Sequence, residues 1–466
     1  MFELPALVYG VRDPGPEQEH AGEAVASRYV ALKKAYENTH EPLEISFRDL
    51  VSWLPYKDRA THFLHPYPAK LLFHIPYFFL NNPLLCSSRS RVFDPFCGSG
   101  TTLLEAHLAG ISADGIDINP FSVLLANTKI EEICADELKE AAARVCCSAS
   151  RRGHAPAPFI LNQQCWYDDS TFLSLARLRI ALEREPAGAC KDAMRIGFSI
   201  AARTLSFADP RMPVPVKARP ERFRSGSSLR ARLTEVIRRA TNANAVTFFC
   251  SAIDQMCSRF EHRDKLKNGV LKTTSHAAIA DARTYNLSGQ AADVDLIITS
   301  PPYCGAQKYV RSTSISLAWL GLATPDELPE LESRTIGREH IRSADRALAL
   351  DNLSSDIAPI IKAIHAVNPT RAAIASSYLR EMRVAVLNMV RSLRRGGHAV
   401  LVVGDSQISG IVFPTCKLVQ KMLEELQCKV VLQLQDRIRS RGLLTKRRSD
   451  ASVITHEQII VVQKGA

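Results

Sequence analysis

The 466-residue chain is predicted to adopt an α/β fold built on a doubly wound, mainly parallel sheet, with a mainly helical insertion. Three observations support this prediction. An apolar run at 92–94 leads into a glycine-rich loop and a helical stretch, and another at 294–298 leads into a proline-rich loop. From about 131 to 270, long helical stretches replace the alternation of strands and helices. A sheet that resumes after this change of pattern indicates a Rossmann-like architecture.

The domain organisation follows from the same changes of pattern. Residues 1–60 are predicted to form an irregular N-terminal arm with one amphipathic helix near 24–36. The α/β domain is expected to comprise 61–130 and 271–466, and 131–270 is expected to be the insertion, as a lid or a recognition region. Its predicted helices cover 137–146, 170–185 and 229–240.

Later strands are expected at 276–279, 295–299, 398–403, 429–435 and 457–463. Residues 393–397, Leu-Arg-Arg-Gly-Gly, are expected to end the helix before the third of these strands, because glycine follows basic residues there. The most apolar stretch, 71–80, is shorter than the roughly 18 residues of a membrane span and is expected to be a core helix. Residues 1–20 carry proline and acidic residues, which is not typical of a targeting segment.

The loop after the first apolar run has the composition of a cofactor-binding turn. Glycine lets the backbone approach a bound molecule, and the start of the following helix supplies free N–H groups. No Gly-Lys-Ser/Thr follows, which excludes a Walker loop, and the third glycine of the dinucleotide fingerprint is missing. The loop reads Asp94, Pro95, Phe96, Cys97, Gly98, Ser99, Gly100, Thr101.

An acidic residue ends the next predicted strand. Asp117, followed by Ile118, lies 23 residues after Asp94. A nucleoside-binding α/β unit places the acceptor for its ribose hydroxyls about 20 residues beyond the glycine loop. The pair of glycines alone is equally compatible with an ordinary turn between strand and helix, and Asp117 is what favours the nucleoside site.

The second loop is Ser300-Pro301-Pro302-Tyr303. Prolines hold the backbone rigid and remove N–H donors, so carbonyl groups and the Ser300 hydroxyl remain as acceptors. Tyr303 offers an aromatic face. Such a loop suits a planar base that presents an amino group, although a Pro-Pro turn alone is more often structural.

In combination, these motifs resemble the S-adenosylmethionine-dependent DNA amino-methyltransferases. The resemblance covers residues 45–130 and 275–464, and it includes His65-Pro66-Tyr67-Pro68-Ala69-Lys70 and Ala280-Asp281-Ala282. The Ser-Pro-Pro-Tyr form is similar to the branch that methylates the N4 amino group of cytosine, whereas Asp or Asn is more typical of the adenine branch. The resemblance implies a methyltransferase fold, S-adenosylmethionine as cofactor and no metal.

The resemblance also implies roles for individual residues. Tyr67 and Lys70 belong to the motif that lines the methionine end of the cofactor, and Lys70 would neutralise its carboxylate. Asp94 would order the glycine loop and the methionine amino group. Asp281, next to Ala282, would accept from the adenine amino group.

The second loop would carry the chemistry. An exocyclic amino group is a poor nucleophile, and two acceptors, the Ser300 hydroxyl and the Pro301 carbonyl, would draw it toward tetrahedral geometry. Ser300 is therefore interpreted as an orienting acceptor rather than a nucleophile. The target base would be flipped out of a duplex or lie in a single strand, with Tyr303 stacked on it.

The charge of the chain suits a polyanionic partner, although solubility alone would also explain it. The net charge is +11, and two basic segments are predicted to contact DNA: the insertion beyond its proline-rich stretch 209–220, and the loop between the last two strands. Solvated arginines are the alternative. The candidate contacts are Arg219, Arg222, Arg224, Arg439, Arg441, Lys446, Arg447 and Arg448.

Four other functions remain open: an adenine-N6 DNA methyltransferase, an RNA amino-methyltransferase, a catalytically silent nucleic-acid-binding subunit, and methylation of a glutamine amide. In the favoured interpretation the partners are DNA and, in a restriction-modification or phage-defence setting, cognate restriction or defence proteins, with no membrane. The expected location is the prokaryotic cytoplasm, with activity at the nucleoid.

The cysteines are expected to be reduced and structural. Twelve are present without a Cys-x-x-Cys pair. Cys304 follows Tyr303, so the Pro-Cys nucleophile of ring-carbon methylation is missing. Cys97 is expected to fill space beneath the glycine loop.

Overall fold

The structure is a computed structural model. It describes residues 21–465 except 56–57, 69, 152–159, 161, 268–272, 286–292, 306–307, 344–345, 347–354, 356 and 439–454.

An eight-stranded sheet organises the chain. Its strands, and a separate two-stranded hairpin formed by β7 and β8, are β1 Leu43–Ile45, β2 Arg91–Asp94, β3 Ser112–Asp117, β4 Ser275–Ile279, β5 Val294–Thr299, β6 Leu393–Val403, β7 Ser406–Ile408, β8 Ile411–Phe413, β9 Cys428–Arg437 and β10 His456–Lys464. The strands expected at 276–279, 295–299, 398–403, 429–435 and 457–463 are confirmed.

The strand order is β1-β9-β10-β6-β5-β2-β3-β4. All neighbouring pairs are parallel except those of β10, which runs antiparallel to β6 and β9. The chain builds outward from β2 through β3 to β4, and then returns to the other side of β2 with β5. The switch point of this doubly wound sheet therefore lies between β2 and β5, where ligands of such folds bind beyond the carboxyl ends of the strands.

The helices pack on and beside the sheet. They are α1 Ala21–Thr39, α2 Phe47–Leu50, α3 His74–Leu80, α4 Thr101–Leu108, α5 Pro120–Ile130, α6 Ala135–Ala149, α7 Gln163–Trp166, α8 Asp169–Glu183, α9 Ala189–Thr204, α10 Ser228–Ala240, α11 Ala245–Leu266, α12 Tyr309–Ser312, α13 Ser314–Trp319, α14 Glu327–Arg334, α15 Ala358–Val367, α16 Pro369–Ser392 and α17 Thr415–Glu425.

Alternate residues of the central strands enter two different cores. On β2, Val92 joins one core with α1, α3 and α4, whereas Phe93 joins another with α16 and α17. Successive side chains of a β-strand point to opposite faces of the sheet, so neighbouring residues enter different cores. Because both faces are covered, the sheet belongs to the Rossmann-like α/β class, as predicted.

Helices α6 to α11 dominate the described residues of 131–270, as the pattern predicted, and they bury a third core with α5 and α13. Trp319 lies at its centre, with its indole N–H donating to the Tyr167 hydroxyl at 3.0 Å. The His65 Nε2 lies 3.1 Å from the Ser199 hydroxyl on α9, which in turn donates to Ser316 on α13 at 2.7 Å. The helical segment is thus packed against residues that flank both sequence motifs.

Two details of the predicted organisation differ in the structure. Within the described part of the N-terminal arm, β1 pairs in parallel with β9, with Leu43 opposite Leu434, and extends the sheet. The helix stop comes at the start of 393–397: α16 ends at Ser392 with Leu393 as its C-cap, and Leu393 already pairs with Val294, so these residues belong to β6. A register shift between Val294 and Leu296 accommodates the glycines, and Gly396 has a φ of 72° that glycine adopts readily.

The apolar stretch at 71–80 is a core helix over most of its length, since every residue of α3 is buried. Within the described part of the chain, no helix is both long enough and apolar enough to cross a membrane.

Candidate active site

A cleft opens at the switch point of the sheet. Fifteen of the predicted site residues line it: Tyr67, Lys70, Asp94, Pro95, Phe96, Gly98, Ser99, Thr101, Asp117, Ile118, Asp281, Ala282, Ser300, Pro302 and Tyr303. Gly100 and Pro301 do not line it. The carboxyl ends of β2, β3 and β5 meet here because these strands are adjacent and parallel.

Asp94 joins the two motif loops. Its Oδ1 accepts from the Thr299 hydroxyl at the end of β5, at 2.6 Å, and from the Phe96 N–H at 3.1 Å. Burial raises the pKa of this carboxyl to about 6, while its hydrogen bonds oppose that shift. Asp94 therefore orders the first loop and ties it to the strand that carries Ser300.

The two glycines of the first loop take left-handed backbone conformations. The φ of Gly98 is 49° and that of Gly100 is 73°. A Cβ at Gly100 would lie 2.7 Å from the Cβ of Ala126 on α5, whereas a Cβ at Gly98 would meet nothing nearer than 3.9 Å. Gly100 thus permits close packing of α4 on α5, and Gly98 keeps the loop open toward the cleft.

Asp117 is held by the backbone around it. Its Oδ2 accepts from the Gly98 N–H at 3.0 Å and its Oδ1 from the Asn119 N–H at 2.8 Å. Burial raises the pKa of Asp117 to about 6, against the effect of these two hydrogen bonds. Each carboxylate oxygen has a further lone pair, which is available to a ribose hydroxyl.

Lys70 is anchored by carbonyl groups. Its Nζ donates to the His65 carbonyl at 2.7 Å and the His62 carbonyl at 3.0 Å, which leaves one N–H for the cleft. Burial lowers the pKa of Lys70 to about 7, and Arg259 lowers it further. Tyr67 is also buried, with its hydroxyl 2.8 Å from that of Ser122 on α5.

Asp281 differs from the simple acceptor that the motif suggested. Arg283 engages both of its oxygens, with Nε 2.9 Å from Oδ1 and NH2 2.6 Å from Oδ2. This bidentate pair lowers the pKa of Asp281. Asp281 lines the cleft as one half of an ion pair, and lone pairs on its oxygens remain for a ligand amino group.

The Ser-Pro-Pro-Tyr loop lines the cleft through Ser300, Pro302 and Tyr303. Tyr303 is 8% exposed, and its hydroxyl interacts with Ser300 and with Glu457 on β10. The Gly305 N–H donates to the Gly337 carbonyl at 3.1 Å, which holds the loop against the segment after α14. Ser300 therefore shares one cavity with the glycine loop.

Several cleft residues were missed by the sequence motifs. Asn119 had the strongest signal, since it follows Asp117 and caps α5, accepting from the Phe121 N–H at 3.0 Å. Leu71 and Ala280 adjoin the predicted residues Lys70 and Asp281. The others come from elements that only the tertiary fold brings to the site: Tyr309, Val310, Arg334, Thr335, Ile336 and Glu457.

The predicted DNA contacts that the structure describes do not line the cleft. Arg219, Arg222 and Arg224 are exposed on the segment before α10. Arg439, Arg441, Lys446, Arg447 and Arg448 lie outside the described residues.

All twelve cysteines are free thiols. Cys304 is 3% exposed and packs in the core with α16, while Cys97 is 5% exposed and contributes to the cleft wall. Burial raises the pKa of both thiols, which disfavours the nucleophilic thiolate. Among the described residues, no group of three His, Cys, Asp or Glu side chains has the arrangement of a metal site.

The cleft fits S-adenosylmethionine. Asp117 and the glycine loop match an adenosine ribose, and Ala282 and Ile118 offer apolar contacts for an adenine ring. At the other end, Lys70 and Asp94 offer one cation and one acid, as the zwitterionic methionine moiety requires.

Several curated proteins are similar to this chain in sequence. The chain is 36% identical over 84 residues to the type II methyltransferase M.MjaII of Methanocaldococcus jannaschii, which is 18% of this chain and 16% of that protein. This chain is thus similar to proteins named type II methyltransferases. It is 33% identical over 82 residues to M.MvaI of Kocuria varians, 17% of this chain and 18% of the relative. Across 457 residues, 86% of this chain and 85% of the relative, it is 20% identical to M.BsoBI of Geobacillus stearothermophilus.

Structural comparison gives distant matches. A SAM-dependent methyltransferase from Methanosarcina mazei aligns with 82% of this chain and 95% of its own, at 10% identity and a TM-score of 0.28. The rRNA methyltransferase aviRa of Streptomyces viridochromogenes aligns with 86% of this chain and 87% of its own, at 12% identity and a TM-score of 0.24. No protein-family model matches the chain.

Proposed function

We propose that the protein transfers a methyl group from S-adenosylmethionine to the exocyclic N4 amino group of cytosine in DNA. One observation carries this proposal: the Ser-Pro-Pro-Tyr loop and the nucleoside-type loop with Asp117 line the same cleft. The hydrogen bond from Thr299 to Asp94 joins these loops at their base. A base acceptor and a cofactor site in one cavity suit direct transfer between two bound molecules.

The cofactor end would be held by four groups. Asp117 would accept from the ribose hydroxyls, and Asp281, although paired with Arg283, would accept from the adenine amino group. Lys70 would balance the methionine carboxylate and Asp94 its amino group. S-adenosylmethionine supplies an electrophilic sulfonium methyl group when bound.

At the target end, the Ser300 hydroxyl would accept one amino hydrogen. The Pro301 carbonyl would accept the other once the base is bound, although Pro301 does not line the cleft in this structure. These contacts favour a tetrahedral nitrogen, whose lone pair can then attack the methyl carbon in line. The N–C bond forms as the C–S bond breaks, and the nitrogen afterwards loses a proton to solvent. Fixed acceptors suit this reaction because positive charge moves from sulfur to nitrogen.

Amino-group chemistry on DNA requires the base outside the stack, either flipped from a duplex or single-stranded. Tyr303 would contact the extruded base in the cleft. The exposed Arg219, Arg222 and Arg224 would contact phosphates, in agreement with the net charge of +11. The assignment of cytosine as the target base rests on Ser300, because an Asp or Asn at this position would favour adenine.

The proposal extends to organisation and setting. The α/β regions 61–130 and 271–466 would form the catalytic domain, and the helical segment 131–270 would recognise DNA or cover the cofactor. The relatives named type II methyltransferases favour a restriction-modification or defence role in a prokaryotic cytoplasm. Cognate restriction or defence proteins would then be partners.

The decisive experiment incubates the purified protein with methyl-labelled S-adenosylmethionine and either mixed genomic DNA or total RNA, followed by nucleoside mass spectrometry. The expected product is N4-methylcytosine in DNA. Methyladenine would overturn the choice of base, and label confined to RNA would overturn the substrate class. Cofactor binding without any transfer would indicate a silent subunit.

A further inference from the structure

Glu457 introduces an acidic group into the target end of the cleft. It lies near the start of β10, in register with Asp436 on β9, and it lines the cleft with Ser300 and Tyr303. Its carboxyl interacts with the Tyr303 hydroxyl, which also interacts with Ser300. Three polar groups, Ser300, Tyr303 and Glu457, therefore share this cleft.

The surroundings of Glu457 favour its neutral form. Burial raises the pKa of this carboxyl to about 7, and the neighbouring Asp436 raises it further. Arg48 and the hydrogen bond with Tyr303 act in the opposite direction and are the weaker influences. Near pH 7, Glu457 thus exists in part as a carboxylic acid, which donates through O–H and accepts through C=O.

The base that the proposed function requires has a matching edge. Beside the N4 amino group, cytosine carries the ring nitrogen N3, which only accepts hydrogen bonds. Ser300 and Pro301 are assigned as acceptors for the amino group and leave N3 without a donor. A buried acceptor without a partner costs about 1–3 kcal/mol, so the site gains from a donor at this position.

We propose that the Glu457 carboxyl, which lines the cleft with Ser300 and Tyr303, donates a hydrogen bond to the ring nitrogen beside the target amino group and thereby recognises the edge of the flipped base. The inference rests on the proposed function. It adds a residue from the last strand of the sheet to a site whose sequence motifs lie in the first two loops. The known motifs select an amino group, whereas Glu457 would select the acceptor next to it.

The test compares three variants at saturating S-adenosylmethionine on DNA, from pH 6 to pH 9. For the wild type, kcat/KM for DNA is expected to fall about tenfold per pH unit above pH 7, as Glu457 ionises. Glu457→Gln keeps a donor and an acceptor at every pH, so its profile should lack this fall. Glu457→Ala should lower kcat/KM about tenfold at pH 6.5. Glu44→Gln, an exposed carboxyl change on β1, is the matched control and should keep the wild-type profile.

Cofactor affinity and melting temperature separate recognition from folding. Glu457→Ala should bind S-adenosylmethionine as the wild type does, so that its loss appears in turnover of DNA alone. If Glu457→Gln shows the same fall above pH 7 as the wild type, or if Glu457→Ala keeps full kcat/KM, the assignment of Glu457 is wrong while the proposed function stands. If the wild type transfers no methyl group to DNA, both fail together.

Discussion

The Gly98 N–H donates a hydrogen bond to the Asp117 carboxylate, with 3.0 Å between the nitrogen and Oδ2. This contact joins the end of β3 to the loop after β2. The conformation of the glycine loop and the position of the Asp117 carboxylate are therefore coupled. A ligand held by Asp117 also stabilises the loop that surrounds it.

Asp117→Ala should weaken S-adenosylmethionine binding at least about tenfold, because it removes both the ribose acceptor and the partner of Gly98. Isothermal titration calorimetry measures this directly. Asp114→Asn, on the same strand but paired with Arg91 outside the cleft, should bind within about twofold of the wild type. Equal affinity in the Asp117 variant would exclude a ribose contact.

Gly100→Ala should destabilise the protein more than Gly98→Ala. Both positions have positive φ, which costs about 1–2 kcal/mol for alanine, but only at Gly100 would the new Cβ also meet Ala126 at 2.7 Å. We expect an additional 1–3 kcal/mol from this overlap, about the usual cost of overpacking. Urea unfolding of the two variants provides the comparison, and equal stability would contradict the packing of α4 on α5.

Ser300→Ala should lower methyl transfer about 100-fold while S-adenosylmethionine binds with unchanged affinity, because Ser300 acts on the target amino group. Tyr303→Ala should behave in the same way. Single-turnover transfer and equilibrium binding, measured on the same preparations, separate the two effects. Transfer at the wild-type rate in Ser300→Ala would refute the assignment of the second loop.

Cofactor affinity should depend on pH through Lys70. Burial lowers its pKa to about 7, so the charged form that attracts the methionine carboxylate is lost as pH rises through 7. The wild type should therefore bind more tightly than Lys70→Met at pH 6, and this difference should shrink by pH 9. Lys265→Met, an exposed lysine change at the end of α11, should follow the wild type at every pH. A difference that does not vary with pH would show that Lys70 acts only through its contacts with the two carbonyls.

Stability should respond to pH through Glu457. Its pKa is raised to about 7 in the folded protein, so the stability contributed by protonation is present at low pH and lost as pH rises through 7. The neutral amide in Glu457→Gln does not ionise, so the variant does not lose this stability as the pH rises. Its melting temperature relative to the wild type should therefore increase between pH 5 and pH 8, as differential scanning calorimetry would show. If the difference in melting temperature between the two proteins does not change with pH, the pKa of the Glu457 carboxyl is not raised in the folded protein.

The two loops were predictable because each is a local feature. Asp94, the glycines and Asp117 lie on consecutive elements, and the spacing of a strand, a loop and a helix brings them together. Arg283 was not identified as the partner of Asp281, although it lies two residues away. Whether Arg283 reaches Asp281 depends on the conformation of the turn after β4, and the types of the side chains alone do not determine that conformation.

The sequence by itself determined the α/β class, the five later strands and most of the cleft residues, since periodicity and loop composition are short-range properties. Tertiary structure alone decided that β1 extends the sheet, that 393–397 continues a strand and that Glu457 enters the cleft. Each of these depends on pairing between distant segments. A strand gains its hydrogen bonds from neighbours far away in the chain, so its own residues do not specify where its side chains arrive.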